Sequence, residues 1–161
     1  MSVNSHQPHI FVLPEDRANS EIANGFLLNG EVSTHRIQVL GEAGGWHKVL
    51  THFKSQHVSQ MDRFPKRFMI LLIDFDGRGD RMAEAKGFIP DHLSSRVFVL
   101  GAWTEPEDLK RANLGSFETI GRALAKDCRE DTYTTWSHDL LRHNSGEIER
   151  LRQHVRPILF P

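Results

Sequence analysis

The chain has little of several things that would narrow its role at once. It has one cysteine, Cys128, which excludes an internal disulfide framework and fits a reducing compartment, so the cytoplasm is the expected location. No apolar run approaches the roughly 20 residues that span a bilayer, and no membrane association is expected. The opening residues, Met1-Ser2-Val3-Asn4-Ser5-His6, lack the basic start and apolar centre of a secretory signal. Charge of one sign is also missing. The formal net charge of −1 excludes a strongly basic protein that coats nucleic acid. It leaves nucleases open, because local patches rather than net charge bind phosphate. Histidines number ten, yet no pair has the i, i+4 zinc spacing. His47, His52 and His57 recur every five residues, which spreads them around a helix, so they read as surface or satisfied core histidines. No repeat, low-complexity tract or long linker divides the 161 residues. A single domain over 1–161 with a substantial core is expected.

What is present centres on Phe68-Met69-Ile70-Leu71-Leu72-Ile73-Asp74-Phe75-Asp76-Gly77. A short continuous apolar run reads as a strand buried on both faces. The D-x-D at its C-terminal end falls where open α/β sheets hold their ligands. Strand periodicity points Asp74 and Asp76 to one side. Two like charges held together need a cation to offset them, and Mg²⁺ prefers carboxylate oxygen. The plainer alternative is that both aspartates cap the next segment or pair with Arg78 and Arg81.

Around that strand, apolar and helical patterns alternate. His9–Leu13 and Arg96–Leu100 read as strands, as does the alternating His35–Leu40. Helical spacing marks Arg17–Leu28, the segment from Trp46 to Phe53, and residues Phe117, Ile120 and Leu124. Arg78–Gly87 reads as a loop or short helix. Trp136, Leu140 and Leu141 suggest a further helix. Asn144 with Glu147 three residues on resembles a capping box opening a last helix, which Pro157 is expected to end. Strands alternating with helices predict an α/β fold with a mostly parallel sheet of about four strands flanked by helices, followed by a helical C-terminal third.

Three segments at the expected C-terminal sheet edge carry a family resemblance. They are Val12-Leu13-Pro14-Glu15-Asp16, then Leu40-Gly41-Glu42-Ala43-Gly44-Gly45-Trp46-His47-Lys48, then Leu72-Ile73-Asp74-Phe75-Asp76. Their order resembles the Toprim domain of topoisomerases, bacterial primases and OLD-like small nucleases. The Toprim pattern is an acid after the first strand, a glycine-containing turn after the second and D-x-D after the third. The likeness covers about residues 9–110, and Arg96–Leu109 also resembles the strand and acidic turn that follow in OLD-like members. The extension 111–161 matches no family pattern. The chain departs from the pattern after the first strand, with Glu15-Asp16 preceded by Pro14 where Toprim proteins commonly have Glu-Gly.

The resemblance implies Mg²⁺- or Mn²⁺-dependent phosphodiester hydrolysis on nucleic acid, with Glu15, Asp74 and Asp76 as metal ligands and Glu15 as general base. Asp16, Glu105 or Glu107 joining them would allow a second ion. Lys48 and Arg78 are candidates for phosphate contact, Lys48 with a catalytic share. Lys48 also reads as a solvated helix lysine, Arg78 and Arg81 as screens for the aspartates, and Glu105 with Glu107 as residues at a helix start near Pro106. Tyr133 is the only tyrosine, and no second DNA-binding domain is present, which argues against a full topoisomerase or primase. Asp74-Phe75-Asp76-Gly77 also resembles the nucleophile motif of HAD-type phosphatases, but that motif usually follows the first strand of its domain. A non-catalytic Toprim-like subunit of a nucleic-acid defence or repair complex, with a protein partner, is the alternative role. Arg142, Arg150, Arg152 and Arg156 suggest either a basic face or a solvated helix.

Overall fold

Both faces of the sheet carry apolar cores, and this follows from the apolar runs of the inner strands. The computed structural model describes residues 3–161. Its strands are β1 (His9–Pro14), β2 (Ile37–Val39), β3 (Arg67–Leu72) and β4 (Val97–Leu100). All pair in parallel in the order β2-β1-β3-β4, so β1 and β3 are the inner strands. Successive side chains alternate between two cores. Ile10, Val12, Ile70, Phe98 and Leu100 face one; Leu13, Met69, Leu71, Val97 and Val99 face the other.

Helices cover each face. Helix α1 (Arg17–Leu27) and the later helices α6 (Phe117–Glu130), α7 (Ser145–His154) and α8 (Arg156–Leu159) pack on the first. Helix α2 (Trp46–His52) runs through a π turn at Phe53–His57 into α3 (Val58–Arg63). Together with α4 (Asp80–Gly87) they cover the second, and α5 (Pro106–Arg111) follows β4. No helix among the described residues is long and apolar enough to cross a membrane.

Four local expectations are corrected. His35–Leu40 forms a strand only over Ile37–Val39, because Arg36 N–H turns back to Ser33 O and a 3₁₀ turn occupies Thr34–Arg36. Residues Trp136–Leu141 form successive turns rather than a helix. The buried Asp127 carboxylate collects the N–H groups of Thr134, Thr135 and Trp136, and Trp103 N–H takes Leu140 O. Such side-chain bonds compete with a helical ladder. Asn144 and Glu147 do not form a capping box. The Asn144 amide bonds both Gly101 N–H and Gly101 O, while Glu147 accepts Val99 N–H at 3.2 Å. They satisfy the open edge of β4, an edge that would otherwise expose its donors. Pro157 lies in the first turn of α8 instead of ending α7.

The C-terminal arginines settle on neither sequence alternative. Arg150 donates to Ser94 O and Val97 O, and Arg156 to Cys128 O and Arg129 O. Arg152 reaches Thr132 O, and only Arg142 makes an exposed pair, with Asp139. Three of the four thus tie down backbone carbonyls, including those at the end of α6, where carbonyls lack helical partners.

Helices α1 and α6 cross closely, and two glycines permit it. A Cβ at Gly121 would lie 2.1 Å from Ile22 O, and one at Gly25 2.4 Å from Glu118 O. Gly121→Ala is therefore expected to cost about 1–3 kcal/mol of stability by overpacking, measured by urea unfolding. Gly146→Ala, with open space around it in α7, is expected to be neutral or slightly stabilising in the same assay.

Candidate metal centre

The pairing of β1 with β3 places Pro14 opposite Leu72. The residues that follow leave the sheet together at its C-terminal edge. Glu15 N–H donates to Leu72 O at 2.9 Å, and the Glu15 carboxylate turns across to accept Asp74 N–H at 2.6 Å through Oε2. Asp16 is the N-cap of α1, its Oδ1 accepting Asn19 N–H at 3.1 Å. The Asn19 side-chain amide then donates to both Asp16 Oδ1, at 3.0 Å, and Asp74 Oδ1, at 2.8 Å. Carboxylate oxygens of Glu15, Asp16 and Asp74 lie within 4.8 Å of one another.

This crowding raises proton affinity. Burial pushes Asp74 up to about 7, with the charges of Glu15, Asp16 and Glu107 adding to it and the Asn19 hydrogen bond opposing. Glu15 is also raised, mainly by burial and further by Asp16 and Asp76, against the Asp74 N–H and the Arg81 charge. Each carboxylate keeps one oxygen free of protein hydrogen bonds among the described residues: Glu15 Oε1, Asp16 Oδ2 and Asp74 Oδ2. None of the three is sealed from solvent.

Three hard oxygen donors with free lone pairs, joined by mutual repulsion, suit Mg²⁺ or Mn²⁺. Their oxygens lie within 4.8 Å of one another, wider than the roughly 4.2 Å between opposite ligands of an ion with bonds of about 2.1 Å, so a bound ion would draw them closer together.

The remaining sequence candidates are distributed as follows. Strand alternation ends at Leu72 and does not orient Asp76, which has left-handed backbone, φ 49°, held by Asp76 N–H to Thr104 O and Gly77 N–H to Trp103 O. Its carboxylate pairs with Arg81 at 3.0 Å and stays outside the three-acid group. Lys48 is exposed, and its ammonium has no ion pair or hydrogen bond among the described residues. Its side chain runs beside Gly44, whose N–H donates to Glu15 O at 2.8 Å, so the glycine turn brings Lys48 to the Glu15 corner. Arg78 is exposed and forks onto Asp80. Glu107, half-buried in the first turn of α5, is near enough to raise Asp74. Glu105 pairs with Arg111 at 3.4 Å.

One supporting residue escaped the sequence reading and a second was read only in part. Asn19 is 1% exposed and joins two of the acids. The only signal for it is the i, i+3 spacing from Asp16, the spacing of a cap and its third helical residue. Arg81 was legible only as a countercharge. In the fold it is buried, donates to Asp74 O at 2.7 Å, pairs with Asp76 and lies over the Trp46 ring at 4.3 Å.

Comparison with protein-family models, curated protein sequences and solved structures gives no match in any of the three.

The raised Asp74 pKa fixes a pH dependence. The folded state holds this proton more tightly than the unfolded chain, so ionisation between about 3.8 and about 7 removes stability as pH rises. Without divalent metal, the stability of wild type relative to Asp74→Asn is expected to fall over that window, by at most about 1.4 kcal/mol per pH unit. Above it the difference levels off. Urea unfolding of both proteins from pH 4 to pH 8.5 in EDTA reads this slope.

Proposed function

We propose that the protein hydrolyses phosphodiester bonds of nucleic acid with a bound Mg²⁺ or Mn²⁺, through a Toprim-like acidic site. The observation that carries the reading is the convergence of Glu15, Asp16 and Asp74, each with a free oxygen, at the C-terminal edge of the two inner strands. Glu15, Asp74 and Asp16 would hold the ion, with Asp76 and Glu107 as outer acids. Asp16 replaces Asp76 as the third member of the inner set expected from sequence. When bound, the ion supplies Lewis acidity and lowers the pKa of water at the site.

The chain's own groups account for the rest. Glu15, whose Oε1 is free of protein hydrogen bonds among the described residues, takes the proton of the attacking water. Lys48, exposed beside the glycine turn, donates to a non-bridging phosphate oxygen as charge builds there. Arg78 contacts the backbone further along by exchanging its Asp80 partner for phosphate. Asn19 and Arg81 hold Asp74 in place and touch no substrate.

The test is cleavage of single- and double-stranded DNA and RNA by purified protein in Mg²⁺, Mn²⁺ or EDTA. Asp74→Ala and Glu15→Ala are each expected to lose turnover by several orders of magnitude. Lys48→Ala should lose about 10²-fold, the scale of one transition-state donor. Nucleic-acid affinity should survive Asp74→Ala or rise, because a charge that repels phosphate is gone. Wild type should also melt higher in Mg²⁺ than in EDTA at pH 8, a gain that Asp74→Asn abolishes. Cleavage unchanged by Asp74→Ala would assign the activity to a contaminant. A metal-dependent melting shift without cleavage, with a protein partner that co-purifies tightly, would favour the non-catalytic accessory role.

A further inference from the structure

We propose that the N-terminal edge of the sheet, opposite the acidic cluster, binds a phosphate group on Arg67. The site is independent of the hydrolysis proposed above. Strands β1 and β3 begin at this edge with His9 and Arg67, which lie opposite each other in the ladder. The acids follow the other ends of the same strands, five residue steps or roughly 16 Å away.

Arg67 is only 6% exposed and has no carboxylate partner among the described residues. Its Nε donates to His9 Nε2 at 2.9 Å and its Nη2 to Ser5 Oγ at 3.3 Å. Neither partner offsets its charge. His9 Nδ1 donates to Gln7 O at 2.7 Å, so a ring that also accepts at Nε2 is neutral. The rings of Phe11 and Phe64 lie 4.1 and 4.8 Å from the guanidinium carbon and give a partial compensation at most. Asp62, the nearest acid in sequence, is taken by His92 at 2.7 Å. Arginines are almost never this buried unless paired.

Donors remain for a ligand. The two bonds use two of the five guanidinium hydrogens. Nη1 has no hydrogen bond among the described residues and is not sealed from solvent. Ser5 Oγ accepts from Arg67 and keeps its own hydrogen to give. His57, half-buried at the end of the π turn, has its pKa lowered by burial and then by the charge of Arg67, which places the two side by side. Its ring nitrogens are not sealed either. A π turn within a helix frequently marks a functional site. Arg63, on the Phe64 ring at 5.4 Å, and the exposed Lys66 add positive charge, which draws anions to the edge. A planar carboxylate has two oxygens, enough for one guanidinium fork. A phosphate has oxygens for the fork, the hydroxyl and the imidazole together.

The test is an amide chemical-shift titration of the full chain with inorganic phosphate in EDTA, against sodium chloride of equal ionic strength. EDTA removes any phosphate held through metal at the acidic cluster. Ser5, His57 and Arg67 are expected to shift saturably, and Glu15 and Asp74 to stay in place. Arg67→Met should weaken phosphate at least about tenfold, the worth of one hydrogen bond to a charged group. If Arg67→Met does not fold, His57→Glu sets a carboxylate of the chain beside Arg67 and should abolish the shifts. Acetate should bind about tenfold more weakly than phosphate. A thymidine tetranucleotide with hydroxyl ends distinguishes the source. Saturation by inorganic phosphate assigns the site to a free phosphate or monoester, and saturation by the tetranucleotide alone assigns it to a backbone diester. No saturable shift at this edge with either probe, affinity indifferent to Arg67→Met or His57→Glu, or acetate binding as tightly as the phosphate probe would overturn the proposal.

Discussion

The parallel register of β1 on β3 is the constraint on which the site depends. It sets Pro14 against Leu72, and the next residues of both chains then leave the sheet at one level. Parallel ladders make this possible because both strands present the same end to the same edge. The apolar residues of these strands fix the register, since a shift of one residue would exchange the two cores. Pro14 fits at the end of an inner strand because Leu40 N–H and Ala43 N–H turn to Val12 O and Pro14 O. On that side the chain acts as an acceptor and needs no donor from proline.

Convergence creates an electrostatic problem that the surroundings only partly relieve. Glu15 and Asp74 both have raised proton affinity, and burial is the leading cause for each. The relief offered is mostly dipolar. Asn19 gives its amide to Asp74 and Asp16, and Asp74 N–H goes to Glu15. Arg81 makes its direct contacts with Asp76 and the Asp74 carbonyl, and its charge acts on Glu15 only as a minor opposing influence. A structural cluster would be expected to draw a cation into direct contact with the buried acids. Here the neighbours orient one oxygen of each acid and leave the other available, an arrangement suited to an external cation.

Most of the scaffold was legible in the sequence because its signals are local. The three apolar runs became strands, the alternating segment became one over Ile37–Val39 only, and the α1, α2 and α6 patterns became helices. Glu15 and Asp74 were legible because each follows a strand that could be recognised alone. Three of the failures share a cause: hydrogen bonds from outside the segment overrode local spacing. Trp136, Leu140 and Leu141 have helical spacing, but Asp127, on another element, claims the backbone donors. Asn144 and Glu147 have capping spacing, but an edge strand distant in sequence offers them better partners. Asp76 followed strand periodicity on paper, but no pattern foretells the left-handed turn that Thr104 and Trp103 impose on it.

That turn also explains why the C-terminal third belongs to the site although it contributes no acid. Thr104 and Trp103 carbonyls hold the backbone of Asp76 and Gly77. Trp103 N–H is held by Leu140 O, and Gly101 is clamped on both polar groups by Asn144, which also bonds Leu141 O. A continuous run of hydrogen bonds therefore joins the start of α7 to the D-x-D loop. The aromatic rings of Phe75 and Trp103 stack along the same path, 6.4 Å apart. A sheet edge alone would leave Asp76 on a loose loop, free to swing toward or away from the acids. Tied to α7 and paired with Arg81, it has a fixed place outside the inner three. The helical extension is thus part of what sets the composition of the acidic cluster, and its residues Ile120, Leu124, Ile148 and Leu151 share a core with the sheet.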